Sequence, residues 1–467
     1  MAQRSNNMTI ATIIQKQTDY FESNRTLPIN FRIEQLKKLK QAIEKYEAQL
    51  LYGLAHDLKK AELEAYMTEI GLLYRHLDEM IKKLPTWSKK DRVKTPIFLQ
   101  PAKSYTMRAP FGKALIISPF NYPVLLSLDP LIGSIAGGNT TLIGLSEETP
   151  YTNRVIEKLI AETFRPCYIT TYIANKESNT EVLSYPFEKI FFTGSSRVGQ
   201  IVQQAAIPHF SSVTLELGGK SPVLITDSVQ LKRAAERIVW GKMINAGQTC
   251  VAPDFCLIPE KYNQEFLAEL QQALEKQFGQ NPEQSNDFGR IINQRHYDRL
   301  KNLIEADQEL VVLGGQTNPK TLYIAPTILS ATCDTPLTSM REELFGPILP
   351  VLTYQTQEEA LNFLAKRARP LAFYLFSEDK KECERLEKEL HYGGMVINDT
   401  LLHLSNENLP FGGTGASGLG VYHGEESLRT FTYHKSILKR TTKINLPLYY
   451  PPYDLSKLKM IKWILKI

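Results

Sequence analysis

Apolar positions at helical spacing fill the first part of the chain. From about Ile10 to Leu84 the pattern predicts helices throughout, with Phe31, Leu36, Leu39, Ile43, Leu50, Leu51 and Leu54 set between Lys and Glu. A second helix runs through AELEAYMTEIGLLYRHLDEMIKKL and should stop before Pro85, because proline removes a helix amide. Tyr66 and Met67 lie on it, and side chains of this kind at helical spacing usually face a core. From Trp87 to Met107 the pattern turns extended and proline-punctuated, as in an arm or linker. At Phe111 short apolar runs begin to alternate with helical segments. ALII, TTLIGLS, CYITTYIA and KIFFTG read as buried strands. VLLSLDPLIGSIAGG (despite Pro130), NRVIEKLIAETF and RVGQIVQQAAIP read as the helices between them, which predicts parallel βαβ units. Beyond about Ser212 the alternation continues as a second unit. VTLELGG opens it, with Val213, Leu215 and Leu217 on one face and Thr214 and Glu216 on the other. SPVLIT, FCLIP, LYIAPTIL, ILPVLTY, LAFYLF and GGMVIND follow as strands, and FTYHKSILKRT gives the tail a β-like segment.

At 467 residues the chain exceeds one ordinary core, so two or three domains are expected. A net charge of +5 over that length gives little reason to expect a nucleic-acid partner. The five cysteines form no CxxC pair and no ligand cluster, so neither a metal centre nor a disulfide framework is expected. Sparse reduced thiols, and an N-terminal MAQRSNNMTI without a secretory apolar run, point to the cytoplasm.

The stretch INAGQTCVAP, Ile244 to Pro253, carries the sharpest chemical signal. The helix before it, DSVQLKRAAERIVWGKMIN, should start from a cap at Asp227 or Ser228 and bury Leu231, Ala234, Ile238 and Val239. Gly247 then suits a residue of positive φ, so the chain turns just before Cys250 and leaves its sulfur on a supported loop. A cysteine is a nucleophile only as thiolate, and a lone one is as readily a small buried hydrophobe. Gly194, Ser195, Ser196, Arg197, Val198 and Gly199 lie between a strand and a helix, where amides can meet phosphate oxygens; a plain tight turn reads the same way. Glu216, beside Gly218 and Gly219, could swing to activate water or could be a solvated or ion-paired strand residue. Asn121 could donate its amide to an oxyanion or satisfy its own turn.

Asn121, Gly194–Gly199, Glu216, Cys250, Glu343–Phe345 and Asn398 occur in one order, and PFNYP, FTGSSRVG, VTLELGGKSP, NAGQTC, EELFGP and PFGGTGASG are the segments that carry the match. Over nearly its whole length the chain resembles the aldehyde dehydrogenase superfamily. The short N-terminal region, WGKMINAGQTCVAPDF and YHGEESLRTFTYHKS resemble its class-3 branch, which includes fatty and aromatic aldehyde dehydrogenases. The resemblance implies an α/β fold in three parts. A doubly wound parallel-sheet cofactor domain would use 1–86 and 111–214, an α/β catalytic domain 215–402, and a β-arm oligomerisation element with the C-terminal tail 87–110 and 403–467, with a homodimer as the assembly. It implies that Cys250 attacks an aldehyde, that Asn121 and the Cys250 amide hold the oxyanion, and that Glu216 activates the water that frees the acid. Gly194–Gly199 would line the cofactor crevice, Glu343 and Phe345 would position the nicotinamide ribose and ring, and Tyr66, Tyr122, Trp240 and Thr249 would line the substrate pocket.

The chain departs from the family at Gly144, Leu145, Ser146 and Glu147, where relatives commonly carry Lys-Pro-Ser-Glu. Losing that ammonium weakens a 2′-phosphate contact more than a hydroxyl contact, and Glu147 at the ribose pushes the same way. NAD is therefore the preferred cofactor, with NADP possible. Phe120 replaces a frequent Trp, and Ala416 stands where many relatives have Asn. The final LSKLKMIKWILKI is basic and amphipathic, too short to span a bilayer, and suited to an anionic membrane surface or to packing on the entrance or a partner subunit. Two rival uses stay open: acyl transfer or esterase-like chemistry at Cys250, and a non-catalytic binding role.

Overall fold

The computed structural model describes residues 9–444 and 450–466. The segment read for a secretory signal lies almost wholly outside them, as does part of the Pro/Tyr-rich stretch near the end. The chain begins with helices α1 (Ile10–Glu22), α2 (Ile29–Leu58), α3 (Glu62–Ala65) and α4 (Gly71–Trp87), with one π turn, Tyr66–Ile70, between the last two. Leu36, Leu39, Ile43, Leu50 and Leu54 of α2 are fully buried. Pro85 does not end α4. In a last turn its missing amide forfeits a single bond, and Ser88 and Lys89 fold back onto the Leu84 and Thr86 carbonyls at 3.0 and 3.2 Å. Tyr66 and Met67 are 40% and 47% exposed, against expectation. The π turn adds a residue and rotates the face, so that Glu69 and Ile70 point inward instead.

An arm follows, with β1 (Asp91–Val93) paired to β2 (Ala102–Pro110). The first sheet takes β3 (Lys113–Ile117), α5 (Pro123–Gly137), β4 (Thr140–Ser146), α6 (Pro150–Thr163), β5 (Ile169–Ala174), α7 (Lys176–Leu183), β6 (Lys189–Thr193), α8 (Ser196–Ala206) and β7 (Ser212–Glu216). From β3 the chain steps outward through β4 to β5, then returns to place β6 and β7 on the other side. That reversal leaves a switch point between the C-terminal ends of β3 and β6, where doubly wound sheets open a ligand crevice.

The second sheet comprises β8 (Pro222–Ile225), β9 (Phe255–Pro259), β10 (Val311–Leu313), β13 (Thr327–Thr332), β14 (Ile348–Tyr354), β15 (Ala372–Phe376) and β16 (Gly394–Ile397), in the order β10-β13-β14-β9-β8-β15-β16. A small pair, β11 (Thr317–Asn318) and β12 (Tyr323–Ile324), sits beside it, so Pro326 splits the run LYIAPTIL. Two placements correct the reading of the sequence. VTLELGG forms β7 of the first sheet, so the expected boundary at 214/215 cuts a strand; Thr214, Leu215 and Glu216 are all buried, and the alternation marks no solvent face. Residues after 403 are not all arm. β17 (Gly418–Leu419) adds an antiparallel strand beside β7, and Leu428 and Phe431 are fully buried in the core. Only β18 (Thr432–Arg440) continues the arm, pairing with β2 from Thr432↔Pro110 to Arg440↔Ala102.

The helix Leu458–Lys466 is exposed except at the half-buried Ile461 and Ile464, and lies beside the arm turn Ile97–Leu99. No helix of the described residues is long and apolar enough to cross a membrane, and among them no cluster of His, Cys, Asp or Glu could hold a metal ion.

Candidate active site

The C-terminal edge of the first sheet faces the N-terminal edge of the second, and Cys250 sits between them, just ahead of β9. Helix α9 (Leu231–Met243) carries the loop, with Leu231, Ala234, Ile238 and Val239 buried as expected. It starts later than predicted, behind Gln230. Asp227 is drawn instead to Lys261 at 2.8 Å, and the Ser228 hydroxyl takes the Glu378 and Asp379 amides at 2.8 and 3.2 Å. After α9, Asn245, Ala246 and Gly247 are all left-handed, with φ of 51°, 51° and 76°. At Gly247 a Cβ would collide with the Gly346 carbonyl. The two non-glycine positions are strained, and hydrogen bonds hold them there. Glu64 accepts the Asn245 amide at 2.9 Å, and the Asn245 side chain donates to the Asn121 and Gln248 carbonyls at 2.8 and 3.2 Å. Gln248 in turn bonds the Asn245 and Arg290 carbonyls and the Ile292 amide. Burial lifts the Glu64 carboxyl to about 7 against the pull of Lys60.

Cys250 is half-buried at the end of this turn. Burial, reinforced by the charges of Glu343 and Glu216, pushes its thiol up to about 12. Asn121, in the loop between β3 and α5, donates one amide hydrogen to the Gln248 carbonyl at 3.0 Å, which leaves its second for a ligand. Next to it, the Tyr122 hydroxyl shares a 2.6 Å hydrogen bond with Thr249, the neighbour of Cys250. Glu216 ends β7 fully enclosed, and neither carboxylate oxygen has a hydrogen-bond partner among the described residues. Burial alone holds its carboxyl well above the usual range. The bland reading of Glu216 as solvated or ion-paired is thereby excluded.

The Gly194–Gly199 turn is tied to the same strand, since the Gly194 amide donates to the Glu216 carbonyl at 3.0 Å. Ser195 caps α8 through the Val198 amide, Ser196 bonds the Ala416 carbonyl at 3.1 Å, and Arg197 is exposed. At Gly199 a Cβ would come within 2.7 Å of Leu217, so glycine lets α8 lie close on the segment after β7. Glu343 is half-buried beside Gly218, where any side chain would overlap its carboxylate; burial, with the Asp254 charge, lifts it to about 8. Lys220 clamps this loop through Asp254 and the Ser339 and Glu342 carbonyls. The buried Lys242 ammonium has no hydrogen-bond partner among the described residues, and burial lowers it to about 8. Phe345, at φ 47°, meets the Phe120 ring edge-on at 5.8 Å.

Glu147 is exposed just past β4. Asn398 ties the end of β16 to the end of β15, bonding both the amide and the carbonyl of Ser377. Tyr66 lies with its ring against Gly71, and Trp240 packs on the core side of α9. Among the described residues no hydrogen bond or ring contact joins either to Cys250, whereas Asn121, Tyr122, Thr249, Glu216 and Glu343 gather around it. Lys60, Glu64, Glu69, Lys220 and Asp254 went unread in the sequence, where they look like surface charges; Asn245 and Gln248 could have been flagged as polar residues flanking the cysteine.

Comparison with known proteins identifies the family. The family model described as the aldehyde dehydrogenase family matches residues 1–437. The chain is 47% identical over 448 residues to the 4,4'-diaponeurosporen-aldehyde dehydrogenase of Staphylococcus aureus, covering 96% of this chain and 97% of that protein. It is 37% identical to the dimeric NADP-preferring aldehyde dehydrogenase of Canis lupus familiaris, covering 95% and 98%. The solved substrate-bound state of Staphylococcus aureus AldH superposes with a TM-score of 0.95 at 46% identity, covering 98% of this chain and 100% of that one. The chain belongs to the aldehyde dehydrogenase family, enzymes that oxidise aldehydes with NAD(P).

Proposed function

We propose that Cys250 is the nucleophile of aldehyde oxidation, Asn121 its oxyanion donor and Glu216 the base that releases the free acid. One observation carries the reading: a buried carboxylate without hydrogen-bond partners among the described residues, Glu216, stands within electrostatic reach of the Cys250 thiol. The sulfur passes its proton to water and adds to the aldehyde carbon, and the carbonyl electron pair moves to oxygen. The free hydrogen of the Asn121 amide and the Cys250 backbone amide stabilise that charge. NAD(P), when bound, would supply the acceptor for the hydride lost from the adduct carbon as the oxyanion collapses, which leaves an acyl thioester on Cys250. Glu216 takes a proton from water as its oxygen attacks the acyl carbon, and the sulfur leaves with the bonding pair. A base enclosed in this way favours hydrolysis over acyl transfer and gives a purely binding role no use for an unpaired buried carboxylate.

The residues present fit a dinucleotide. The open N-terminus of α8, at the crevice between β3 and β6, leaves the Ser196 and Arg197 amides for phosphate, and Glu343 and Phe345 flank the side toward Cys250. NAD is the preferred form. A Cβ at Gly144 would come within 2.6 Å of the Tyr172 hydroxyl, itself held by Asn179 at 2.7 Å, so the place of the family's lysine is filled by an uncharged phenol. The canine relative is named NADP-preferring, and this departure is the ground for expecting the reverse here. The substrate is an apolar aldehyde, medium-to-long aliphatic or aromatic, in keeping with the staphylococcal relative's named substrate. A screen of aliphatic and aromatic aldehydes with both cofactors should give the highest kcat/KM for long apolar aldehydes with NAD; a lower dissociation constant for NADP than for NAD would refute the cofactor assignment.

The cofactor part takes 1–86 with the first sheet, and the catalytic part takes the second sheet up to 402. The arm makes a homodimer, because β18 leaves an edge free for another chain. The tail helix rests on anionic membrane: Leu458, Trp463 and Leu465 are exposed beside Lys459, Lys462 and Lys466. The five free cysteines suit the cytoplasm. Removing 454–467 should abolish co-sedimentation with phosphatidylserine vesicles and leave the dimer's sedimentation intact; unchanged vesicle binding refutes the membrane role, and a monomeric parent refutes the dimer.

A further inference from the structure

We propose that the buried Lys60–Glu69 ion pair is a positioning device for the oxyanion side of the active site. Both side chains are fully buried and their charged atoms lie 2.6 Å apart. Each has a second task. The Lys60 ammonium donates to the Asn121 backbone carbonyl at 2.8 Å and sits 3.9 Å over the Tyr122 ring. The other Glu69 oxygen accepts the Val124 and Leu125 amides at 2.8 and 3.2 Å. These are the first-turn amides of α5, a helix whose N-cap, Tyr122, supplies no side-chain cap. The peptide that carries the Asn121 amide is thus gripped on both sides, by the cation at its carbonyl and by the carboxylate at the helix that follows. The π turn brings Glu69 inward for this purpose. Glu64 of the same hairpin holds the Asn245 amide in the turn that leads to Cys250, so both arms of the oxyanion site trace back to residues 60–69.

A purely structural role explains the pair less well. Two buried opposite charges are costly, and apolar side chains of similar size often hold helices together at least as firmly. An apolar pair cannot donate to the Asn121 carbonyl or accept the α5 amides. Lys60 and Glu69 touch no reacting atom; they act through Asn121, and the inference rests on the proposed oxyanion role of that residue.

The test is Lys60→Met/Glu69→Gln in the full-length enzyme, with Asn121→Ala alone and combined with it, and with Lys60→Arg as a charge-keeping variant should the double substitution not fold. We expect kcat for aldehyde oxidation to fall about 10- to 100-fold in the double variant, as when an oxyanion donor is misplaced, with the NADH dissociation constant unchanged. We expect a loss of about tenfold in Lys60→Arg, because a planar guanidinium cannot occupy the ammonium's position. Combined with Asn121→Ala, the double substitution should add almost nothing, since both act on one donor. A double variant with native kcat, a Lys60→Arg enzyme with native kcat, or losses that multiply with that of Asn121→Ala would overturn the positioning role alone. Full activity of Asn121→Ala would overturn the oxyanion reading and the proposal with it.

Discussion

Replacing Cys250 with serine will lower kcat for aldehyde oxidation by about 10⁴-fold or more, because a serine hydroxyl is a far weaker nucleophile than a thiol. The substitution removes only polarizability and acidity, so the melting temperature and the NADH dissociation constant should stay near those of the parent. The native thiol makes a second, independent statement. Burial and the charges of Glu343 and Glu216 push it up to about 12, so in the free enzyme the thiolate is scarce at neutral pH. Alkylation of Cys250 by iodoacetamide should therefore keep accelerating as pH rises through 9, where an activated thiolate would already have levelled off. A plateau near pH 7 would mean that something in the free enzyme stabilises the anion. Normal turnover in the serine variant would end the covalent mechanism.

The strands of the first sheet were readable because β3, β4 and β6 are enclosed on both faces and so appear as unbroken apolar runs. The same enclosure misled at β7, where an alternating pattern invited a half-exposed strand and a domain boundary, although Thr214 and Glu216 are as buried as Leu215. Around Cys250 the sequence signalled Gly247 but not the left-handed Asn245 and Ala246, since no side-chain rule selects alanine for that conformation. What holds them comes from elsewhere in the chain: Glu64 from the N-terminal hairpin, and Ile292 and Arg290 from beyond β9. In KKAELEAYMTE, Lys60, Glu64 and Glu69 look like the solvated charges of an amphipathic helix, whereas the π turn carries Glu69 inward, and Lys60 and Glu64 bond the Asn121 carbonyl and the Asn245 amide. The backbone elements were written in local periodicity. The support of the catalytic loop lies in long-range polar contacts that periodicity does not encode.

Glu216→Gln should let the first half of the reaction run and stop the second. The amide keeps the shape of the side chain and loses the proton acceptor, so kcat should fall by about 10²- to 10⁴-fold while one equivalent of NADH still appears in a burst. The enzyme should then carry the acyl group on Cys250, visible as a mass increase that hydroxylamine removes. Stability should move the other way. The folded state holds the Glu216 carboxyl well above its ordinary value, so the group favours the fold below the unfolded carboxyl range and loses that contribution as pH rises. The glutamine variant has no such loss. Its melting temperature should match the parent near pH 4 and exceed it increasingly toward pH 8. Steady turnover without a trapped thioester would show that another group activates the water. A melting difference that shrinks with rising pH would show that the carboxylate is charged and satisfied in the folded enzyme, contrary to the two unpartnered oxygens at the end of β7.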